Sequence, residues 1–117
     1  MTDNLKPEGK AMIEKKYSYT LTDTKTIERI VSDENVDINH MVLGPGEALP
    51  EHDTNSHVHM LVIRGAVTLR LGEQDPHTYP AGSIVAIPYL THMNASNTTE
   101  DTLEIFVIKA PSPASFK

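Results

Sequence analysis

The chemistry this chain could carry is concentrated in imidazole. Of its six histidines, His57 and His59 stand two residues apart. On a β-strand that spacing projects both rings from one face, where they could converge on a shared ion. With His52 and His92 they would form an all-nitrogen set suited to one divalent ion, Zn, Ni, Fe or Cu. Such an ion, left with open coordination positions, could activate dioxygen or polarise a substrate. Alternation does not fix the face that carries them. One side of the strand reads His57, His59, Leu61, Ile63 and the other Val58, Met60, Val62, Arg64, both largely apolar.

The remaining candidates are weaker. His40 faces outward if Met41 and Leu43 face the core, and His77 falls in a polar turn. Glu47, Glu51 and Asp53 lie near His52, and in an extended segment Glu51 and Asp53 point opposite to it, as surface charges would. No serine or threonine sits in a nucleophile setting, and no glycine-rich loop could cradle a phosphate.

Composition narrows the classes further. With 117 residues, the chain has room for one core, which needs no staples at this size. Cysteine is absent, so thiolate sites and disulfides are excluded. Sixteen acidic residues against ten scattered basic ones give a net charge of −6, which repels phosphate backbones; no nucleic-acid partner is expected. No apolar stretch has membrane-spanning length and residues 1–16 contain no apolar run, so no membrane association and a cytoplasmic location are the expectations.

The elements that must position these side chains are strands. Short β-branched runs alternate with Gly, Pro, Asn and Asp punctuation, the pattern of an all-β sandwich or barrel. Strands are expected near 15–21, 26–31, 36–43, 57–64, 66–71, 84–87, 91–95 and 103–109. Gly44-Pro45-Gly46, Gly65, the 72–76 turn, Pro80-Ala81-Gly82 and Pro88 separate them. Residues 1–10 and 111–117 are polar and expected to fray. The last strand, Leu103 to Lys109, is apolar on nearly every residue, so both its faces need cover. Residues 11–31 or a second subunit could supply it, and a homodimer is the favoured expectation.

In two segments the chain resembles the cupin superfamily, RmlC-like barrels built as a double-stranded β-helix or jelly roll. The first segment runs from Gly46 through His52 to Gly65. The second runs from Pro80-Ala81-Gly82 through Pro88 to Asn97. The similarity covers residues 36–109 and implies one barrel domain over residues 1–117. Metal-binding members hold an ion with three histidines and an acidic residue. By strict register that pattern falls on His52, Thr54, Val58 and Met93, leaving one ligand of four. An interior site using His57, His59 and His92 would need a one-residue bulge in each motif.

Three functional expectations follow, from different classes. The first is a barrel that binds a small-molecule ligand in an interior lined by His52, Thr54, Val58, Met60 and Met93, with or without a degenerate metal site. The second is a metal-dependent enzyme of oxygenase or isomerase type using His52, His57, His59 and His92. A structural or partner-binding dimer module working through the last strand is a third.

Overall fold

The computed structural model describes residues 11–115. Within them, nine strands are formed: β1 (Thr26–Ser32), β2 (Asp37–Leu43), β3 (His52–Asp53), β4 (Val58–Arg64), β5 (Ala66–Leu71), β6 (His77–Pro80), β7 (Ile84–Ile87), β8 (His92–Ser96) and β9 (Leu103–Lys109). They make a five-stranded sheet, β1-β2-β9-β4-β7, and a four-stranded sheet, β3-β8-β5-β6. All pairings are antiparallel. The inner faces meet over one core that includes Leu43, Val58, Met60, Val62, Val67, Leu69, Met93, Leu103, Ile105 and Val107. This is the jelly-roll barrel that the alternation and punctuation predict.

Two strands escape sequence reading. β3 is two residues long, held by the His52–Met93 and Asp53–His92 pairs. β6 ends in Pro80, inside what reads as polar turn sequence. The reverse holds for 15–21, which joins no ladder among the described residues. Of the segments expected to fray, 1–10 and 116–117 lie outside the described residues. Pro111 and Ser112 are tied down: the Ser112 hydroxyl donates to Asp37 Oδ1 at 2.9 Å, and Ser56 donates to the Pro111 carbonyl.

One irregularity decides where a charge goes. The pairing of β4 with β9 shifts between Val62 and Arg64, so that Arg64 sits opposite Glu104. Uninterrupted alternation would send Arg64 inward with Val58, Met60 and Val62. The bulge inserts Ile63 as the extra residue and turns Arg64 to the outer face. Gly65 follows at φ 73°, and a Cβ there would collide with the Thr102 carbonyl oxygen. Glycine is therefore demanded twice, by the dihedral and by the close approach of backbone.

Gly65→Ala combines left-handed strain with overpacking and should cost about 2–6 kcal/mol in denaturant unfolding. Gly72→Ala, at φ 55° with nothing near the new methyl, should cost only about 1–2 kcal/mol. Equal losses would refute the close-approach explanation.

Candidate functional site

The barrel interior is the first place to look. Thr54, Val58, Met60 and Met93 are all buried in it, whereas His52 is exposed, its Nδ1 3.0 Å from the Pro50 carbonyl. Thr54 is fully engaged. Its hydroxyl donates to the Pro88 carbonyl at 2.6 Å and accepts the Thr91 N–H at 2.9 Å, pinning the loop after β7. The four positions that hold an ion in metal-binding relatives thus offer one exposed imidazole, one committed hydroxyl and two apolar side chains. That donor set does not fit a divalent metal.

The other candidate histidines stand outside the barrel. Val58, Met60 and Val62 point in, so His57 and His59 are exposed on the opposite side. There they line a shallow apolar hollow of about 290 Å³ with Ala86, Ile87 and Pro88. His92 alternates with buried Met93 and lies on the outer face of the smaller sheet. Its Nδ1 is 2.9 Å from Asp53 Oδ1 and its Nε2 3.1 Å from Glu51 Oε1, while Asn94 donates to the second Glu51 oxygen. Glu51 and Asp53, expected as plain surface charges, therefore orient His92. Among the described residues no three His, Asp or Glu side chains gather as a metal would require, so His52, His57, His59 and His92 are not brought together.

His40 corrects a second expectation. It faces out of the barrel, as predicted from Met41 and Leu43, yet it is wholly buried. Tyr19 and Phe106 pack on its ring at centroid distances of 4.6 and 5.0 Å. Its Nδ1 lies 2.7 Å from Glu28 Oε2 and its Nε2 2.6 Å from Glu104 Oε2. The ring is thus held between two carboxyl groups, one at each nitrogen. Arg64, re-aimed by the bulge, brings a guanidinium to the same cluster: its Nε donates to Glu104 Oε1 and its Nη1 to Asp23 Oδ1, both at 2.7 Å, and its Nη2 donates to the Thr22 carbonyl. Burial works to raise the Glu104 carboxyl, but hydrogen bonds from His40 and Arg64 outweigh it and hold the group below the usual carboxylate range. Glu28 is lowered as well, chiefly by the Thr20 N–H and then by His40. This cluster clamps residues 19–23 across the outer face of the larger sheet.

One interior group was not anticipated. Asn39 lies on β2 between Ile38 and His40, both turned outward, and pairs with Val107 of β9, which belongs to the core. Its side chain accordingly points inward, in the cross-strand row that continues through Val107 to Met60. Its Oδ1 is buried and accepts no hydrogen bond. The signal was present in Asp-Ile-Asn-His-Met-Val-Leu, since Asn39 shares the parity of Met41 and Leu43, but a single amide on an inward face does not announce itself.

With this geometry in hand, comparisons place the chain among known structures. No family model matches it. It is 47% identical over 103 residues to an uncharacterized protein of Methanocaldococcus jannaschii, covering 87% of this chain and 89% of that protein. It is similar to a crystal structure from the same organism described as an RmlC-like cupin family protein with a double-stranded β-helix fold, at 46% identity and a TM-score of 0.86, covering 89% of this chain and 96% of that one. A cupin 2 conserved barrel domain protein from Salinispora arenicola shares the fold at 16% identity and a TM-score of 0.66, over 85% and 88% of the two chains.

Two predictions follow. Because Glu28 and Glu104 are held below their ordinary value of 4.5, the stability they contribute is complete above that pH and drains as pH falls through the lower folded values. Denaturant midpoints from pH 7 to pH 3 should fall, and Glu104→Gln should flatten that fall; His40→Ala should cost about 3–5 kcal/mol by emptying a fully buried ring site and removing its two hydrogen bonds. His92 is raised from 6.5, first by Asp53 and then by Glu51. Its ion pairs are present below that ordinary value and lost as pH rises through the folded one. In an NMR titration Asp53→Asn should return the ring toward 6.5, and an unchanged midpoint would refute the pairing.

Proposed function

Because the chain belongs to the RmlC-like cupin family of double-stranded β-helix proteins, we propose that it binds a small molecule inside the barrel without help from a metal. The observation that carries this reading is the Asn39 amide oxygen, turned inward, buried and without a hydrogen-bond partner. An unsatisfied buried acceptor costs about 1–3 kcal/mol, and most such groups in native proteins meet a water, an ion or a ligand. Around it the wall is apolar, with Val107 and Met60 in the same row and Met41 beside it. Methionine adapts its shape to varied contacts. An apolar enclosure with few polar groups is the usual make-up of a small-molecule site.

That chemistry selects a compact, mostly apolar molecule presenting one N–H or O–H donor. Met93, on β8 of the opposing sheet, bounds the same interior from the other side. No reaction is assigned, since neither a base within reach of a substrate nor an activated nucleophile is identified among these groups.

The test uses saturation-transfer NMR with phenol, indole and simple primary amides as probes. Binding should be lost in Asn39→Val, while stability stays level or rises because the orphaned oxygen is gone. If Asn39→Val unfolds the protein or leaves probe binding intact, the amide is structural and the reading fails.

A further inference from the structure

The inner face of the larger sheet does not end on hydrocarbon. Leu103, Ile105 and Val107 of β9 all belong to the core. The register with β2 runs unbroken from Leu103 to Lys109, so alternation places Lys109 on the same face. Its cross-strand neighbours are Asp37 on β2 and the core residue Val58 on β4. Lys109 is half-buried at this end of the barrel, whereas Lys15, Lys16 and Lys25, the other lysines among the described residues, are exposed.

The charge beside it is already engaged. Asp37 is 5% exposed, and its Oδ1 accepts from the Ser32 and Ser112 hydroxyls, both at 2.9 Å. Its Oδ2 lies 4.0 Å from Arg29 Nε. Lys109 itself makes no hydrogen bond or ion pair among the described residues. The backbone on either side is fixed: β9 pairs with β2 and β4, the Ala110 N–H donates to the His57 carbonyl at 3.1 Å, and Ser56 donates to the Pro111 carbonyl. A held backbone thus presents one uncommitted amine. Burial works first to pull that amine below its ordinary value of 10.5; Asp37 opposes the pull and Arg29 assists it. Losing the proton exposes the lone pair that makes lysine a nucleophile.

We propose that Lys109 captures compact aldehydes as an imine at this end of the barrel. The Nζ lone pair adds to the carbonyl carbon, the carbonyl oxygen departs as water with the two amine protons, and a C=N bond replaces C=O. Carbon and nitrogen keep their oxidation states, so no co-reactant is needed. A proton from solvent then makes the imine a cation, which keeps a positive charge beside Asp37 as the ammonium does. The surroundings select a neutral, partly apolar carbonyl compound. Val58 and Val107 flank Lys109 on its face, and the Asp37 carboxylate disfavours an added anion. Capture requires no hydrogen bond to Asn39, so this site and the Asn39 reading stand or fall separately.

The full-length protein, treated at neutral pH with benzaldehyde or isobutyraldehyde and sodium cyanoborohydride, tests this by peptide-mapping mass spectrometry. Reduction fixes each imine as a stable secondary amine that marks its lysine. Lys109 should be alkylated at least about tenfold faster than Lys15, Lys16 or Lys25, because the site holds the aldehyde against the amine. Lys109→Arg, with its fold verified by circular dichroism, should lose that fast adduct and keep the slow ones. The comparison among lysines of the unmodified chain stands even if the variant fails to fold. Alkylation of Lys109 no faster than that of the exposed lysines, or a fast adduct that persists in folded Lys109→Arg, would overturn the proposal.

Discussion

A sheet that is apolar on both faces cannot stand with one face in water, and most of this structure answers that constraint. β9 shows it most clearly: Leu103, Ile105 and Val107 point into the barrel, while Phe106 and Ile108 point away from it beside Glu104. The four-stranded sheet closes the inner side. On the outer side the chain uses its own residues 19–23, fixed there by ionic contacts as well as by Tyr19 packing on Phe106. His40 binds Glu28 on one nitrogen and Glu104 on the other, and Glu104 passes on to Arg64 and Asp23. Each member is satisfied only if the strands are in register and the β4 bulge is in place. Buried ions of this kind seldom stabilise more than an apolar replacement would, but they discriminate sharply against a misplaced segment.

The same distribution of polar groups shapes the interior. Five of the six histidines are exposed and the sixth is committed to the outer clamp. Of the four positions that face an ion in metal-binding relatives, His52 is exposed and the others are Thr54, Val58 and Met93, of which only Thr54 is polar, and its hydroxyl serves the Pro88 loop. The family scaffold is therefore retained while its ligand set is not. Asn97, the asparagine closing the second motif, donates to the Leu43 and Asp101 carbonyls and accepts from Thr99. It holds loops together.

Much of the architecture was legible before any coordinates. Glycine and proline punctuation and period-two runs located seven of the nine strands, because those signals are local. Inward Val58, Met60 and Val62 followed from the family register, and with them the outward turn of His57 and His59. Arg64 could not be placed, since alternation assumes a constant phase and a bulge changes it without a mark in the sequence. His40 was aimed correctly and its burial missed: what covers it, Tyr19, lies 21 residues away in the chain. Segment 15–21 has the composition of a strand, but composition says nothing about which edge, or whose, would pair with it.

Two features of the molecule are poor choices if stability were the only demand. An inward amide oxygen without a partner forfeits about 1–3 kcal/mol that valine at position 39 would not. A buried imidazole ring bonded to two carboxyl groups carries a desolvation cost that packed hydrocarbons avoid. They occupy adjacent positions on β2, Asn39 turned inward and His40 outward, each beside a β9 residue of the same face, Val107 and Phe106. One strand pair thus presents a binding surface to the cavity and a specificity device to the outer layer. Apolar residues on those two strands suffice to build the barrel; its polar exceptions are where selection for something other than folding is most readily located.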